Sequence, residues 1–230
     1  MSEKHVVVAI DGPAGSGKST IAKRVAAKLG FLYIDTGAMY RAVGLWAVRN
    51  NVPLDDMHRL EQLANQASIE LSGNPARVRL NGEDVTEAIR TPDASDAASR
   101  ASAVPGVRRA LVAKQREMGS ATSVVMEGRD IGTVVFPGAD VKVFLDAQPD
   151  IRAERRLKEL AGKGKKPSAG EIGKQLEERD HRDRNRADSP LRQAPDAVFL
   201  DTSGMSIEEV EGTILKIVRD RTSNGKELSR

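Results

Sequence analysis

Apolar positions along this chain alternate between short unbroken runs and longer stretches at helical spacing. The run at 6–10 is β-branched, is bounded by a Gly/Pro/Ser cluster, and precedes a helical pattern over 18–29, which predicts strand, loop, helix. Further runs at 31–34, 123–126, 141–145 and 197–200 predict strands. Helical spacing between them predicts helices over 38–49, 56–66, 95–101, 107–118, 149–160, 171–186 and 206–221. That alternation predicts an α/β fold, a parallel sheet covered by helices. One stretch departs from it: short alternating runs at 69–71 and 78–80, followed by Asn81-Gly82, predict a small antiparallel meander over 68–85 inserted into the α/β body. Residues 163–173, rich in Lys and Gly, read as an exposed mobile loop, and those after 221 as a polar tail.

The loop after the first strand carries Gly12-Pro13-Ala14-Gly15-Ser16-Gly17-Lys18-Ser19, which fits GxxxxGK[ST] at every fixed position and in the strand-to-helix context the motif requires. The glycines let backbone amides turn toward a polyphosphate, whose charge the following helix N-terminus also favours. Lys18 is placed to reach the β and γ phosphates, Ser19 to offer a hydroxyl to Mg²⁺, and Thr20 to add a phosphate contact. The motif predicts a P-loop NTPase fold and an NTP site, and leaves the reaction open. A guanine-reading NKxD is missing: the nearest match, 185–188, has Arg186 in place of Lys and lies in a basic helix. The carboxylate that assists magnesium is left open among Asp11, Asp35, Glu127 and Asp146.

Arginines change the picture next. On a helix over 171–186, Arg179, Arg182, Asp183 and Arg186 share a face, an arrangement that repels itself unless an anion sits among the charges. The alternative is a solvated helix in which Asp180 and Asp183 neutralise the arginines. Arg152, Arg155 and Arg156 repeat the cluster on the preceding helix, with Arg155 expected on the ATP side, and the Lys/Gly loop lies between the two. Two such helices predict a lid that closes over phosphates and excludes water. At 127–133 a strand ends in a Gly turn carrying Arg129 and Asp130, where open α/β sheets collect ligands; the alternative is a structural ion pair. In the corresponding place after the second strand, Thr36 offers a hydroxyl and Arg41 a fork, or else an N-cap and an exposed Arg.

Composition narrows the partners. The 230 residues hold 36 Lys plus Arg against 33 Asp plus Glu, a formal charge of +3, with only four Phe, two Tyr and one Trp. So few aromatics make a stacking platform for single-stranded nucleic acid hard to build. Arg supplies 23 of the 36 basic residues, the side chain whose planar fork suits phosphate oxygens. Zero Cys excludes disulfides and thiolate chemistry, and with no signal peptide or long apolar run a cytoplasmic chain, without nucleic-acid or membrane partners, is expected.

Taken in order and spacing, GPAGSGKST, DTGAMYR, EGRDIGTVVFP and ERDHRDRNRADSPL closely resemble the bacterial cytidylate kinases over nearly the whole chain, including the meander. The resemblance implies phosphoryl transfer from MgATP to CMP or dCMP, in a monomer. It implies a core at 1–35, 101–150 and 187–221, a monophosphate-binding insertion at 36–100, a lid at 151–186 and a tail at 222–230. By the same resemblance Arg108 and Asp130 read the base with Ser99 assisting, while Arg41, Arg129 and Arg186 hold the monophosphate. Arg179 and Asp183 contact base or sugar hydroxyl, and Thr36 keeps a hydroxyl role. Catalysis falls to Lys18, Arg129, Arg179 and Arg186. Two other readings stay open: another P-loop small-molecule kinase (UMP, AMP, dephospho-coenzyme A or shikimate), and a nucleotide-dependent nucleic-acid-binding protein.

Overall fold

In a computed structural model, which describes residues 5–72, 76–161 and 168–222, the predicted β-strand at the start is β1 (Val7–Asp11), buried along its whole length. It pairs in parallel with β6 (Val124–Gly128) on one side and β7 (Val141–Asp146) on the other, and β7 pairs in parallel with β8 (Val198–Asp201). With β2 (Leu32–Asp35) at the far edge the strand order is β2-β6-β1-β7-β8. Burial on both faces explains why β1, β6 and β7 read as continuous apolar runs rather than alternating ones. Helices flank this sheet: α1 (Lys18–Leu29) and α8 (Ile207–Thr222) bury Ile21, Ala22, Val25, Val210, Ile214 and Val218 in one cluster with Val8, Ile10 and Val143.

The chain divides into two units, Met1–Tyr33 with Ala121–Arg230, and Ile34–Ser120. The second unit holds α2 (Thr36–Arg49), α3 (Met57–Gln66), α4 (Pro92–Ala101) and α5 (Pro105–Ser120) around a core that includes Met39, Val43, Leu60, Ile89, Val107 and Leu111. This unit runs to Ser120 and so takes in α5, whose Val107 and Leu111 are buried among α2 and α3 residues. Helix α4 starts three residues earlier than its apolar pattern, because Thr91 caps it through Ala94 N and Pro92 occupies its first turn. The meander is present as β3 (Ile69–Ser72), β4 (Arg77–Leu80) and β5 (Glu83–Asp84), with residues 73–75 outside the described set. Asn81 and Gly82 both have positive φ, 51° and 84°, the signature of the two-residue turn expected from that dipeptide.

In the first unit, α6 (Pro149–Ala161) and α7 (Ala169–Asn185) enclose a small core of Leu160, Ile172 and Leu176. Part of the expected 163–173 loop is helical: Ser168 and Glu171 form a reciprocal cap that starts α7 at Ala169, a signal that the Gly content concealed. Residues 162–167 of that loop, and 223–230 of the expected tail, lie outside the described residues.

Candidate active site

The phosphate loop is shaped by the strands beneath it. A Cβ on Gly12 would stand 1.9 Å from the carbonyl oxygen of Leu145 on β7, and one on Gly15 would meet Arg152 at 3.0 Å, so neither position admits a side chain. Gly17, at φ 93°, opens α1, whose first turn holds no acidic residue. Its amides are left to an anion. Lys18 is buried and folds back on the loop, donating to the Pro13 carbonyl and to Ser16 Oγ at 3.2 Å. Burial and the nearby charge of Arg129 push its pKa down to about 7, with Arg179 adding to the effect and Glu127 and Asp11 opposing it. Ser19 and Thr20 are exposed in the first turn of α1, and Ser19 Oγ donates to Glu127 Oε2 at 2.9 Å.

That contact separates the four carboxylates. Asp11 accepts the backbone amides of Ile131 (2.9 Å) and Gly132 (2.7 Å). Asp35 caps α2 through Ala38 N and pairs with Arg41 at 2.8 Å. Asp146 accepts Ala147 N at 2.8 Å and lies 3.9–4.0 Å from Arg184 and Arg152. Only Glu127, buried at the end of β6, shares a bond with the hydroxyl of the P-loop motif. A hydroxyl beside one carboxylate is a hard-oxygen pair, and no group of three or more His, Cys, Asp or Glu among the described residues is arranged to hold a metal. This donor set fits Mg²⁺, which keeps water and takes most of its ligands from nucleotide phosphates.

Arg129 and Asp130 follow β6, and the chain then makes a turn of π-helix, Ile131–Val135, anchored by Asp11. The sequence marks only a Gly turn here and gives no sign that Asp11 pins it. Arg129 Nε donates to Asp183 Oδ2 at 2.9 Å, Arg179 Nε and Arg186 Nη1 each stand 4.0 Å from the Asp183 carboxylate, and Arg186 Nη2 lies 3.7 Å from Asp130 Oδ1. Burial opposes ionisation of Asp183, but Arg129, Arg179 and Arg186 outweigh it and hold the carboxyl below its usual range. The same pairing overcomes burial at Arg129 and raises its pKa.

The expectation of one helical face needs correcting. Arg182 is exposed, and α7 stops at Asn185, leaving Arg186 in an extended cap at ψ 140°. Its guanidinium is aimed instead by the next loop, where Nε donates to the Ser189 carbonyl at 2.7 Å and Leu191 N returns to Asp183 O at 2.7 Å. Ser189 has φ 52° immediately before Pro190, a left-handed conformation that nothing in the sequence announced.

The cluster of Arg152, Arg155 and Arg156 also divides. Arg152 is buried and spent on Ala147 O, Ala14 O and Asp180 Oδ2 (2.6 Å), so it ties the phosphate loop to both α6 and α7. Arg156 pairs with Glu159 at 2.7 Å. Arg155 lies over the loop at Gly17, its Nη1 3.9 Å from where a Gly17 Cβ would be, held by Thr202 Oγ1 (3.0 Å) and Thr202 O (2.6 Å). Thr202 in turn donates to Ser16 O at 3.2 Å. This threonine was missed, although its place after β8, at the carboxyl end of the sheet, is where a ligand contact is to be sought.

Thr36, Arg41, Ser99 and Arg108 belong to the second unit. Thr36 is buried as the first residue of α2, the cap being Asp35. Arg108 is fully buried on α5, its guanidinium 5.4 Å from the Tyr40 ring centre, with Nη1 donating to Ser102 O at 3.4 Å. Ser102 Oγ donates to Ser99 O, and the buried Ser99 Oγ has no hydrogen-bond partner among the described residues. An orphaned buried hydroxyl is expensive unless something else satisfies it.

Comparison with known proteins agrees with this geometry. The family model described as cytidylate kinase matches residues 8–220. A cytidylate kinase from Solibacter usitatus is 64% identical over 229 residues, covering 99% of this chain and 98% of that protein. One from Desulfitobacterium hafniense is 48% identical and covers 97% of each chain. Among solved structures, an uncharacterized protein from Eubacterium ventriosum matches 95% of this chain with a TM-score of 0.54 at 14% identity, which is a likeness of fold. With its phosphate loop, its arginine cluster and its match along almost the whole chain, the protein belongs to the cytidylate kinase family.

Proposed function

We propose that this chain transfers the γ-phosphoryl group of ATP to CMP or dCMP, giving ADP and the diphosphate. One observation carries the reading: Lys18 is buried in a phosphate loop whose glycines admit no side chains, and burial first, then the charges of Arg129 and Arg179, lower its pKa to about 7, a strain that a bound polyphosphate relieves. The nucleophile is a phosphate oxygen of the acceptor, already anionic at neutral pH, so no enzyme base and no covalent intermediate are needed. The new bond forms between that oxygen and the γ-phosphorus as the bond to the β,γ-bridging oxygen breaks. The loop amides and Lys18 hold the donor phosphates, Arg41, Arg129 and Arg186 hold the acceptor phosphate, and Arg179 joins them in spreading the charge that develops on the transferred group. Mg²⁺ would be held at Ser19 and would neutralise donor phosphate charge. Arg155 serves the ATP side, and the helices α6 and α7 act as a lid over the phosphates. The scheme is written for a monomer.

Base choice follows from hydrogen-bond polarity. Cytosine presents an amino donor beside the N3 and O2 acceptors, so Asp130 accepts from N4 while Arg108 donates to the acceptors, and Ser99 adds its unused hydroxyl. Uracil inverts two of these groups and would leave a buried charge unpaired. Asp183 favours dCMP as a second acceptor if its sugar contact is to the 3′ hydroxyl. The test is ADP release with a panel of CMP, dCMP, UMP, AMP, dephospho-coenzyme A and shikimate. CMP and dCMP should turn over fastest, and Asp130→Asn should narrow the preference for CMP over UMP; preferred turnover of AMP or shikimate overturns the reading.

A further inference from the structure

Ser19 reaches Glu127, and Glu127 reaches further. Its second oxygen, Oε1, accepts a short hydrogen bond from the phenol of Tyr33 on β2, the strand beside β6. The Tyr33 ring is itself held from α1, with Lys23 Nζ 5.5 Å from the ring centre. The result is a relay of fixed direction: Tyr33 donates to Glu127, and Ser19 donates to the other oxygen of the same carboxylate. Because the only proton of the Ser19 hydroxyl is committed to Glu127, its lone pairs are turned outward, and a cation needs lone pairs. Asp11, Asp35 and Asp146 are bound instead to backbone amides or arginines, and the bond of the Ser19 hydroxyl goes to Glu127.

We infer that Tyr33 is a positioning residue for the nucleotide-bound cation: its phenol fixes the Glu127 carboxylate, which orients the Ser19 hydroxyl as a ligand. Groups that orient metal ligands typically account for about 10- to 100-fold in metal affinity. The inference rests on the metal-dependent kinase reading above, and its test separates the two. Mn²⁺ binding to the whole chain in the presence of ADP is measured by electron paramagnetic resonance for the wild type, Tyr33→Phe, Glu127→Gln and the double variant. Tyr33→Phe should weaken Mn²⁺ about 10-fold and raise the Mg²⁺ needed for half-maximal turnover to match. It should leave kcat at saturating Mg²⁺, the KM for CMP and metal-free ADP affinity near wild type. The double variant should bind Mn²⁺ no more weakly than Glu127→Gln alone, since Tyr33 acts through that carboxylate. Wild-type Mn²⁺ affinity in Tyr33→Phe, or effects of the two substitutions that multiply, overturns the inference. A wild-type chain that binds no Mn²⁺ with ADP, or that transfers nothing to CMP, overturns the underlying reading instead.

Discussion

A buried carboxylate shows how much a single residue can be asked to do. Asp11 sits at the root of the phosphate loop, where its two oxygens accept the amides that start the π-turn behind Arg129 and Asp130. Burial is the dominant influence and pushes its pKa up from 3.8 to about 6, with the charge of Asp130 adding to it, although the two amides and Lys18 pull the other way. A folded-state pKa above the unfolded one means that the protein gains from this group below pH 3.8 and loses that gain as pH rises through about 6. Asp11→Asn removes the titration but presents an amide NH₂ to one of the two backbone donors, a cost that does not vary with pH. Unfolding free energies of the two proteins should therefore draw together by up to about 3 kcal/mol between about pH 4 and pH 8. Parallel pH profiles would show that Asp11 is not desolvated as the structure has it. The motif made Lys18 and Ser19 legible in the sequence because the chemistry fixes their spacing. Asp11 and Thr202 were opaque, because their partners lie far away along the chain, 121 residues for Asp11 and Gly132 and 186 for Thr202 and Ser16, and no local pattern encodes such pairing.

At the scale of elements, the sequence located α6 and α7 and misjudged what their arginines do. Helical spacing tells which side chains share a face; it does not tell which of them is drawn into the interior. Arg152 and Arg156 are neighbours in a charged run, yet Arg152 is buried against Asp180 and two carbonyls while Arg156 is half-buried and pairs with the exposed Glu159. The same physics gives them opposite weights. Removing one partner of a buried pair strands the other charge, so Arg152→Ala should cost about 3–5 kcal/mol in urea unfolding, whereas Arg156→Ala, which breaks a partly exposed pair, should cost about 0.5 kcal/mol or less. Equal costs would mean that the tie between α6, α7 and the phosphate loop is not formed in solution. Arg186 carries the matching lesson at the end of α7. Extending the helix to 186 in the sequence placed it on the face of Arg179. The structure keeps it close to Asp183 by a different route, through the turn at Ser189.

For the whole molecule, the near-neutral balance of 36 basic against 33 acidic side chains becomes informative once the charges are placed. Lys18, Arg108, Arg152 and Lys142 are buried, and Arg129, Arg179 and Arg186 surround a carboxylate rather than an open surface. Four of the seven aromatics are committed too: Tyr40 lies beside Arg108, Tyr33 is bonded to Glu127, and Phe144 stacks on Phe199 at 6.3 Å. Phe199 is the one aromatic among the exposed large apolar side chains, and a single ring makes no stacking platform. No helix among the described residues is long and apolar enough to cross a membrane. These placements argue against the nucleic-acid reading in a measurable way. A protein that tracks a phosphate backbone through 6–10 contacts loses about 10³–10⁵ in affinity between about 50 and 200 mM salt. Here a labelled single-stranded oligonucleotide should bind weakly at either salt concentration, whether or not ATP is present. CMP, gripped by a few buried groups within reach of a compensating acid, should lose far less over the same range. Tight, ATP-dependent oligonucleotide binding with a steep salt slope would mean that the arginines serve a polymer, and the enclosed placement of charge would then need another explanation.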